Sequence, residues 1–293
     1  MTGSVLFIGA GPGAPDLITI RGAQAIGRSD IVIWAASLVH PGILEHARPG
    51  AEVIDSSQLP MEGVLTLYER AAREGLTVAR VHSGDPALWG AVGEQIAQCD
   101  RMGLAVEIIP GVSAFTALAA AEHLELTVPE ITQSVILTRL EGGKTPMPAG
   151  ESIRAFASHG TTMAVFLSAA RSGVLQSELL AGGYPEDTPV VIGYQVSWPD
   201  ELIVWCTVGT LAETTKEHKL WKHTLFLVGP GLSSHQTRSH LYHPGHFHGF
   251  RKADHEARLQ LKAERGARAS DEVQASPGEQ SSTPSADEIG AGA

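Results

Sequence analysis

Apolar residues in this chain come in short runs, separated by stretches in which they recur every three or four positions. The runs predict strands and the periodic stretches predict helices. In the first half, strands are expected at 4–8, 31–34, 52–54, 77–81 and 105–109, with helices at about 17–26, 62–74, 88–101 and from 114 to near His123. Apolar strands that alternate with helices belong to a parallel sheet covered on both faces. After Pro129 the pattern changes. Strands at 133–137, 163–167, 190–196, 202–207 and 224–228 interleave with helices near 152–158, 172–181 and 211–216. Two of these strands flank Ser197-Trp198-Pro199-Asp200-Glu201 and read as a hairpin, so the second sheet is mixed. The fold class is therefore α/β, with two α/β domains at 1–127 and 128–232, a tail at 233–293, and a small-molecule cleft between the domains.

The loops after three first-half strands stand out. Gly9-Ala10-Gly11-Pro12-Gly13-Ala14 follows the first strand, His82-Ser83-Gly84-Asp85-Pro86-Ala87-Leu88-Trp89-Gly90 the fourth, and Pro110-Gly111-Val112-Ser113-Ala114-Phe115 the fifth. In an open parallel sheet such loops gather at the carboxyl edge, where ligands bind. Gly84 lets the backbone turn or approach a ligand closely, and the Asp85 carboxylate accepts hydrogen bonds from ligand hydroxyls or an amine. Ser113 is placed to cap the following helix. The first loop has the spacing of a dinucleotide fingerprint, but Pro12 and Pro15 remove donors that would cradle a pyrophosphate. The second strand also ends in Ala35-Ala36-Ser37, without an acid to hold a ribose.

Charge and composition narrow the chemistry further. A net charge of -11 argues against nucleic-acid binding, which needs clustered Lys and Arg, and leaves room for a few cations around a small anionic substrate. No apolar run of about twenty residues and no basic leader is seen, so a soluble cytoplasmic protein without membrane contact is expected. Cys99 and Cys206 have neither disulfide-framework nor metal-site spacing. His235, His240, His243, His246 and His248 crowd the start of the tail without a standard zinc pattern, so no metal is assigned. Beyond about residue 269 the Ser, Pro, Gly and acid-rich composition predicts disorder.

Gly9-Ala10-Gly11-Pro12-Gly13 with Asp16-Leu17-Ile18-Thr19, then Ser83-Gly84-Asp85-Pro86, then Pro110-Gly111-Val112-Ser113-Ala114 together resemble the motif set of the tetrapyrrole (corrin/porphyrin) methylases. Four further stretches are similar to the branch that methylates carbon 11 of precorrin-4 in cobalamin synthesis. They are Trp34-Ala35-Ala36-Ser37-Leu38-Val39, Thr138-Arg139-Leu140-Glu141-Gly142, Lys144-Thr145-Pro146-Met147-Pro148, and the hairpin turn at Ser197. Trp34-Ala35-Ala36 departs from the more usual Tyr-Ala followed by Gly or Asp.

The resemblance implies a homodimer that binds S-adenosylmethionine (SAM) in the interdomain cleft and a tetrapyrrole as its partner molecule. Carried over by motif, the cofactor residues are Pro12, Gly84, Asp85, Leu88, Ser113, Ala114 and Phe115 from the first domain. Leu167, Tyr194, Val196, Thr224 and Leu225 follow from the second. His82, Arg139, Lys144 and Arg171 are the candidate substrate contacts, the three cations because guanidinium and ammonium groups pair with macrocycle carboxylates. His82 reads equally as a structural residue at a strand end. Methyl transfer from a sulfonium needs alignment more than acid, so no nucleophile or base is singled out. Two alternatives stand beside this reading: a cobalt-precorrin-4 substrate, and a non-catalytic corrinoid or cobalt-binding module.

Overall fold

The computed structural model describes residues 2–142, 145–233, 239 and 242–263. The first half supplies β1 (Ser4–Gly9), β2 (Ile31–Trp34), β3 (Glu52–Asp55), β4 (Thr77–His82) and β5 (Ala105–Ile109). They form one all-parallel sheet in the order β3-β2-β4-β1-β5. Its helices are α1 (Ile20–Gly27), α2 (Met61–Glu74), α3 (Val92–Met102) and α4 (Ala114–Ala121). Side chains alternate across β1: Val5 and Phe7 join a core with Tyr68 of α2 and Cys99 of α3, while Leu6 and Ile8 pack with Ala25 and Ile26 of α1. Both faces are covered, and the strands are apolar for that reason.

The second half supplies β6 (Val135–Arg139), β7 (Thr162–Phe166), β8 (Pro189–Tyr194), β9 (Leu202–Thr207) and β10 (Thr224–Val228). Their order is β6-β7-β10-β8-β9, with β6 and β7 parallel and the other pairs antiparallel, so the sheet is mixed as expected. α5 (Ile153–Ala157), α6 (Ser172–Ala181) and α7 (Leu211–Glu217) complete a core around Met163, Leu175 and Phe226. Both sheets fall within residues 1–235, one compact unit; residues 236–293 cluster as another. In that second unit the described residues include a helix over 255–263 and a turn in which Arg251 Nη2 donates to the His243 carbonyl at 3.0 Å.

Several expected elements shift, each for a local reason. The helix expected over 17–26 becomes a 3-10 turn at Pro15–Leu17 followed by α1, because Thr19 caps α1 by accepting from Gly22 N at 3.0 Å. The helix expected from Leu88 begins only at Val92, since Trp89 (φ 54°) and Ala91 (φ 48°) are left-handed. β8 stops at Tyr194 rather than at Val196, because Gln195 turns to φ 45°. Ser113 stands at the N-cap position of α4, but its side chain makes no capping hydrogen bond there. Residues beyond 263, including those expected to be disordered, lie outside the described residues, as do His235 and His240. Among the described residues no helix is long and apolar enough to cross a membrane, and no group of three or more His, Cys, Asp or Glu is placed to hold a metal ion.

Candidate active site

The three glycine loops meet at the carboxyl edge of the first sheet. Gly84 N donates to the Gly11 carbonyl at 2.7 Å, and Gly11 N to the Gly84 carbonyl at 3.3 Å. Asp85 ties in the third loop: its Oδ2 accepts from Gly111 N at 3.0 Å and its Oδ1 from Ala87 N at 2.8 Å. The backbones approach so closely that no side chain fits. A Cβ on Gly111 would stand 2.1 Å from the Gly84 oxygen, and one on Gly9 would stand 2.5 Å from Gly111 Cα.

The second sheet closes over this junction. Trp198, in the β8–β9 hairpin, donates from Nε1 to the Pro12 carbonyl at 3.1 Å, and Ser197 Oγ accepts from Ala14 N at 2.9 Å. Farther along, the Trp89 ring lies 4.8 Å from Phe166, which also meets Phe115 edge-on at 6.5 Å. Between these contacts lies a cleft of about 520 Å³, within the range typical of small-molecule sites.

Of the cofactor residues expected in the first half, Pro12, Gly84, Asp85, Leu88, Ser113 and Ala114 line the cleft. From the second half Leu167, Val196, Thr224 and Leu225 do so. Phe115 and Tyr194 do not: Phe115 packs beside Leu118 and Ala164, and Tyr194 against the core beneath the second sheet. Sequence reasoning passed over Leu38, Trp89, Phe166, Trp198 and Trp221 as cleft lining, together with the polar residues Gln195, Lys222 and His223. Trp89 was within reach of it, since a large aromatic in a loop of Gly, Asp and Pro has little reason to be there except to cover something. Nothing in the sequence marks Lys222 or His223.

Backbone strain gathers on the same wall. Nine described non-glycine residues have positive φ, and four of them, Trp89, Leu167 (φ 52°), Gln195 and His223 (φ 48°), line the cleft. Such conformations are unfavourable and persist where the surrounding structure imposes them, most often at functional sites. Gln195 N donates to the His223 carbonyl at 2.9 Å, so two of the four hold each other in place.

Arg139 and Arg171 are not among the residues that line the cleft. Arg139 Nη1 donates to the carbonyls of Leu140 and Thr145 at 3.3 Å, and Arg171 donates to the Glu141 carbonyl, so both guanidinium groups hold the loop after β6. Lys144 is outside the described residues. The lysine on the described cleft wall is Lys222.

His82 is off the cleft wall as well. Its ring centroid lies 5.9 Å from that of Phe7, and its Nε2 is buried without a hydrogen-bond partner. Burial, and after it the Arg80 charge, pull its pKa down to about 4. His82 is therefore neutral in the folded protein at pH 7, whereas in the unfolded chain it titrates near 6.5. Below that value the unfolded state binds a proton that the folded state refuses until about pH 4, so stability falls on acidification through this window. The full effect amounts to roughly 3 kcal/mol. Urea unfolding at pH 7.5 and pH 4.5 is expected to show this loss in the native protein and a smaller one in His82→Phe; equal losses would exclude His82 as its source.

Comparison with known proteins places these features in a wider set. Residues 4–212 match the family model of the tetrapyrrole (corrin/porphyrin) methylases. A cobalt-precorrin-4 C(11)-methyltransferase of Methanocaldococcus jannaschii is 42% identical over 250 residues, covering 85% of this chain and 96% of the relative. A precorrin-4 C(11)-methyltransferase of a Sinorhizobium species is also 42% identical, over 85% of this chain and 98% of the relative. Among solved structures, a cobalt precorrin-4 methyltransferase superposes with a TM-score of 0.76 at 42% identity, covering 79% of this chain and 96% of that one. A uroporphyrin-III C-methyltransferase from Thermus thermophilus, complexed with S-adenosylhomocysteine, superposes at 0.66 with 27% identity, covering 79% and 94%.

Proposed function

The chain belongs to the tetrapyrrole (corrin/porphyrin) methylases, and we propose that it transfers the methyl group of SAM to carbon 11 of precorrin-4, giving precorrin-5 in cobalamin synthesis. The observation that carries this reading is the 42% identity to carbon-11 methyltransferases over 85% of the chain, a span too long to lie within either sheet alone.

The residues of the cleft suit SAM. Leu88, Trp89, Val196 and Leu225 offer apolar surface for an adenine, and Asp85 is the acidic group on the described wall, facing a cleft that would take a cationic ligand. The space where a Gly84 Cβ would stand is open, with no atom nearer than 3.8 Å, which leaves room for a ligand to lie against the backbone. When bound, SAM supplies an activated methyl group to an electron-rich ring carbon. The chain's part is to align that carbon and to exclude water. Orientation alone contributes about 7–11 kcal/mol in favourable cases, and Trp89, Leu167, Gln195 and His223, held at positive φ, are part of the wall that would provide it. No nucleophilic side chain is required, since the carbon is itself the nucleophile.

Residues 1–127 and 128–232 act in this reading as two domains around the cleft, with 233–293 as a tail, and the working form is a cytoplasmic homodimer. Anaerobic incubation with methyl-labelled SAM and precorrin-4, beside cobalt-precorrin-4, tests the reaction by mass spectrometry and carbon NMR. One added methyl at carbon 11 of precorrin-4 is expected. Preference for the cobalt complex would move the protein to the cobalt-dependent route, and transfer to neither would overturn the reading.

A further inference from the structure

Arg80 is a cation without an anion. It lies on β4 facing the layer of α2 and α3, opposite Phe7 and Ile33 in the sheet register, and is mostly buried. Its Nε donates to Gln95 Oε1 at 3.3 Å and its Nη1 to Ser56 Oγ at 2.9 Å. Both acceptors are neutral and both are held by other bonds. Gln95 Oε1 also accepts from Tyr68 OH at 2.8 Å, and Ser56 Oγ donates to the Trp34 carbonyl at 3.0 Å.

No carboxylate among the described residues pairs with it. The ionisable groups that feel its charge are Tyr68 and His82, and burial holds both in their neutral forms. Burying a charge without a counter-charge is unfavourable, and proteins seldom do so without a use for it. The guanidinium has five N–H donors, of which these two bonds take two. Nη2 donates to nothing described, and Arg80 is not fully buried. The bonds run on to the loops around it, to Trp34 at the end of β2 through Ser56, and to Ala91 in the loop after β4, whose carbonyl accepts from Gln95 Nε2 at 3.3 Å. The same loops send Leu38 and Trp89 to the cleft wall.

We propose that Arg80, oriented by Ser56 and Gln95, receives one peripheral carboxylate of the macrocycle and so makes the enzyme selective for tetrapyrroles acidic at that edge. The proposal rests on the functional reading above for its ligand, and on the geometry of Arg80 for its site. A planar guanidinium with two fixed arms presents its remaining donors in one direction, which suits a carboxylate better than a freely rotating ammonium would.

The test compares the native enzyme with Arg80→Met, Arg80→Lys and Ser56→Ala, with SAM affinity by calorimetry and thermal melting as checks on folding. Loss of a charge-assisted hydrogen bond raises the macrocycle KM by about tenfold to a hundredfold in Arg80→Met. SAM affinity is expected to stay within about twofold, with partial recovery in Arg80→Lys and a smaller rise in Ser56→Ala. A structural role alone would instead lower melting temperature and SAM affinity together. An unchanged KM in Arg80→Met, or in both milder variants if that one does not fold, overturns the proposal. A second arm does not depend on turnover: fluorescence titration with uroporphyrin III, an octacarboxylate, and coproporphyrin III, a tetracarboxylate. Native protein is expected to bind uroporphyrin III more tightly, and Arg80→Met to lose that preference. Absence of native binding, or equal preference in the variant, overturns the proposal even if the carbon-11 assay fails.

Discussion

Asp85→Ala is expected to lose SAM binding by more than about a hundredfold, with turnover falling in parallel. The carboxylate accepts one backbone N–H from its own loop, at Ala87, and one from the loop after β5, at Gly111. Hydrogen bonds to a charged acceptor contribute roughly 1.5–3 kcal/mol each. Alanine removes both and leaves two amides unpaired where the loops meet, so the residues around Gly84 and Ser113 no longer hold their spacing. Asp85→Asn is the informative intermediate, since an amide presents one acceptor oxygen and turns its NH₂ toward the other N–H. Calorimetry with SAM should rank the proteins native, Asn, Ala. Undiminished binding in Asp85→Ala would remove Asp85 from the site and its clamp from the argument.

Gly111→Ala should be more damaging still. The added Cβ would stand 2.1 Å from the Gly84 oxygen and 2.7 Å from Gly9 Cα, and all of these neighbours are backbone. Nothing can rotate aside, so the three loops must separate. Overpacking where neighbours can adjust already costs about 1–3 kcal/mol. Here the upper end of that range or beyond is expected, with SAM binding lost. Gly93→Ala is the control: its Cβ would meet nothing within 4 Å, and it lies in α3. Alanine is the better helix former by about 0.5–1 kcal/mol. Denaturant unfolding should therefore show opposite signs for the two substitutions, and a stable, SAM-binding Gly111→Ala would mean that the loops are less closely joined than described.

Much of this molecule could be read from its residues. The parallel first sheet follows from strands such as β1, whose side chains are apolar on both faces and find a helix layer on each. The meeting of the glycine loops follows from that sheet, because β1, β4 and β5 are neighbours and deliver their loops to one edge. The second-half wall was harder, since Leu167 and Gln195 are residue types that seldom adopt positive φ, and nothing local marks His223 for it. The cations were harder again. Arg139 and Arg171 have the right charge for a substrate carboxylate, and the sequence does not show that they also donate to backbone carbonyls of the loop after β6. Arg80 passed unremarked because a single arginine within a strand pattern reads as an edge or surface residue until Tyr68, Gln95 and Ser56 are seen around it.

The left-handed residues of the cleft wall also set the direction in which this protein can evolve. Glycine at Gln195 or His223 would relieve strain that the present residues carry, a gain set against the greater freedom glycine gives the unfolded chain. Such changes would also slacken the surface that aligns the two reactants. Wherever the relief of strain exceeds that cost, a lineage selected for heat tolerance alone would trade turnover for persistence at these positions, while one that must keep both has to find its stability elsewhere, at sites such as Gly93.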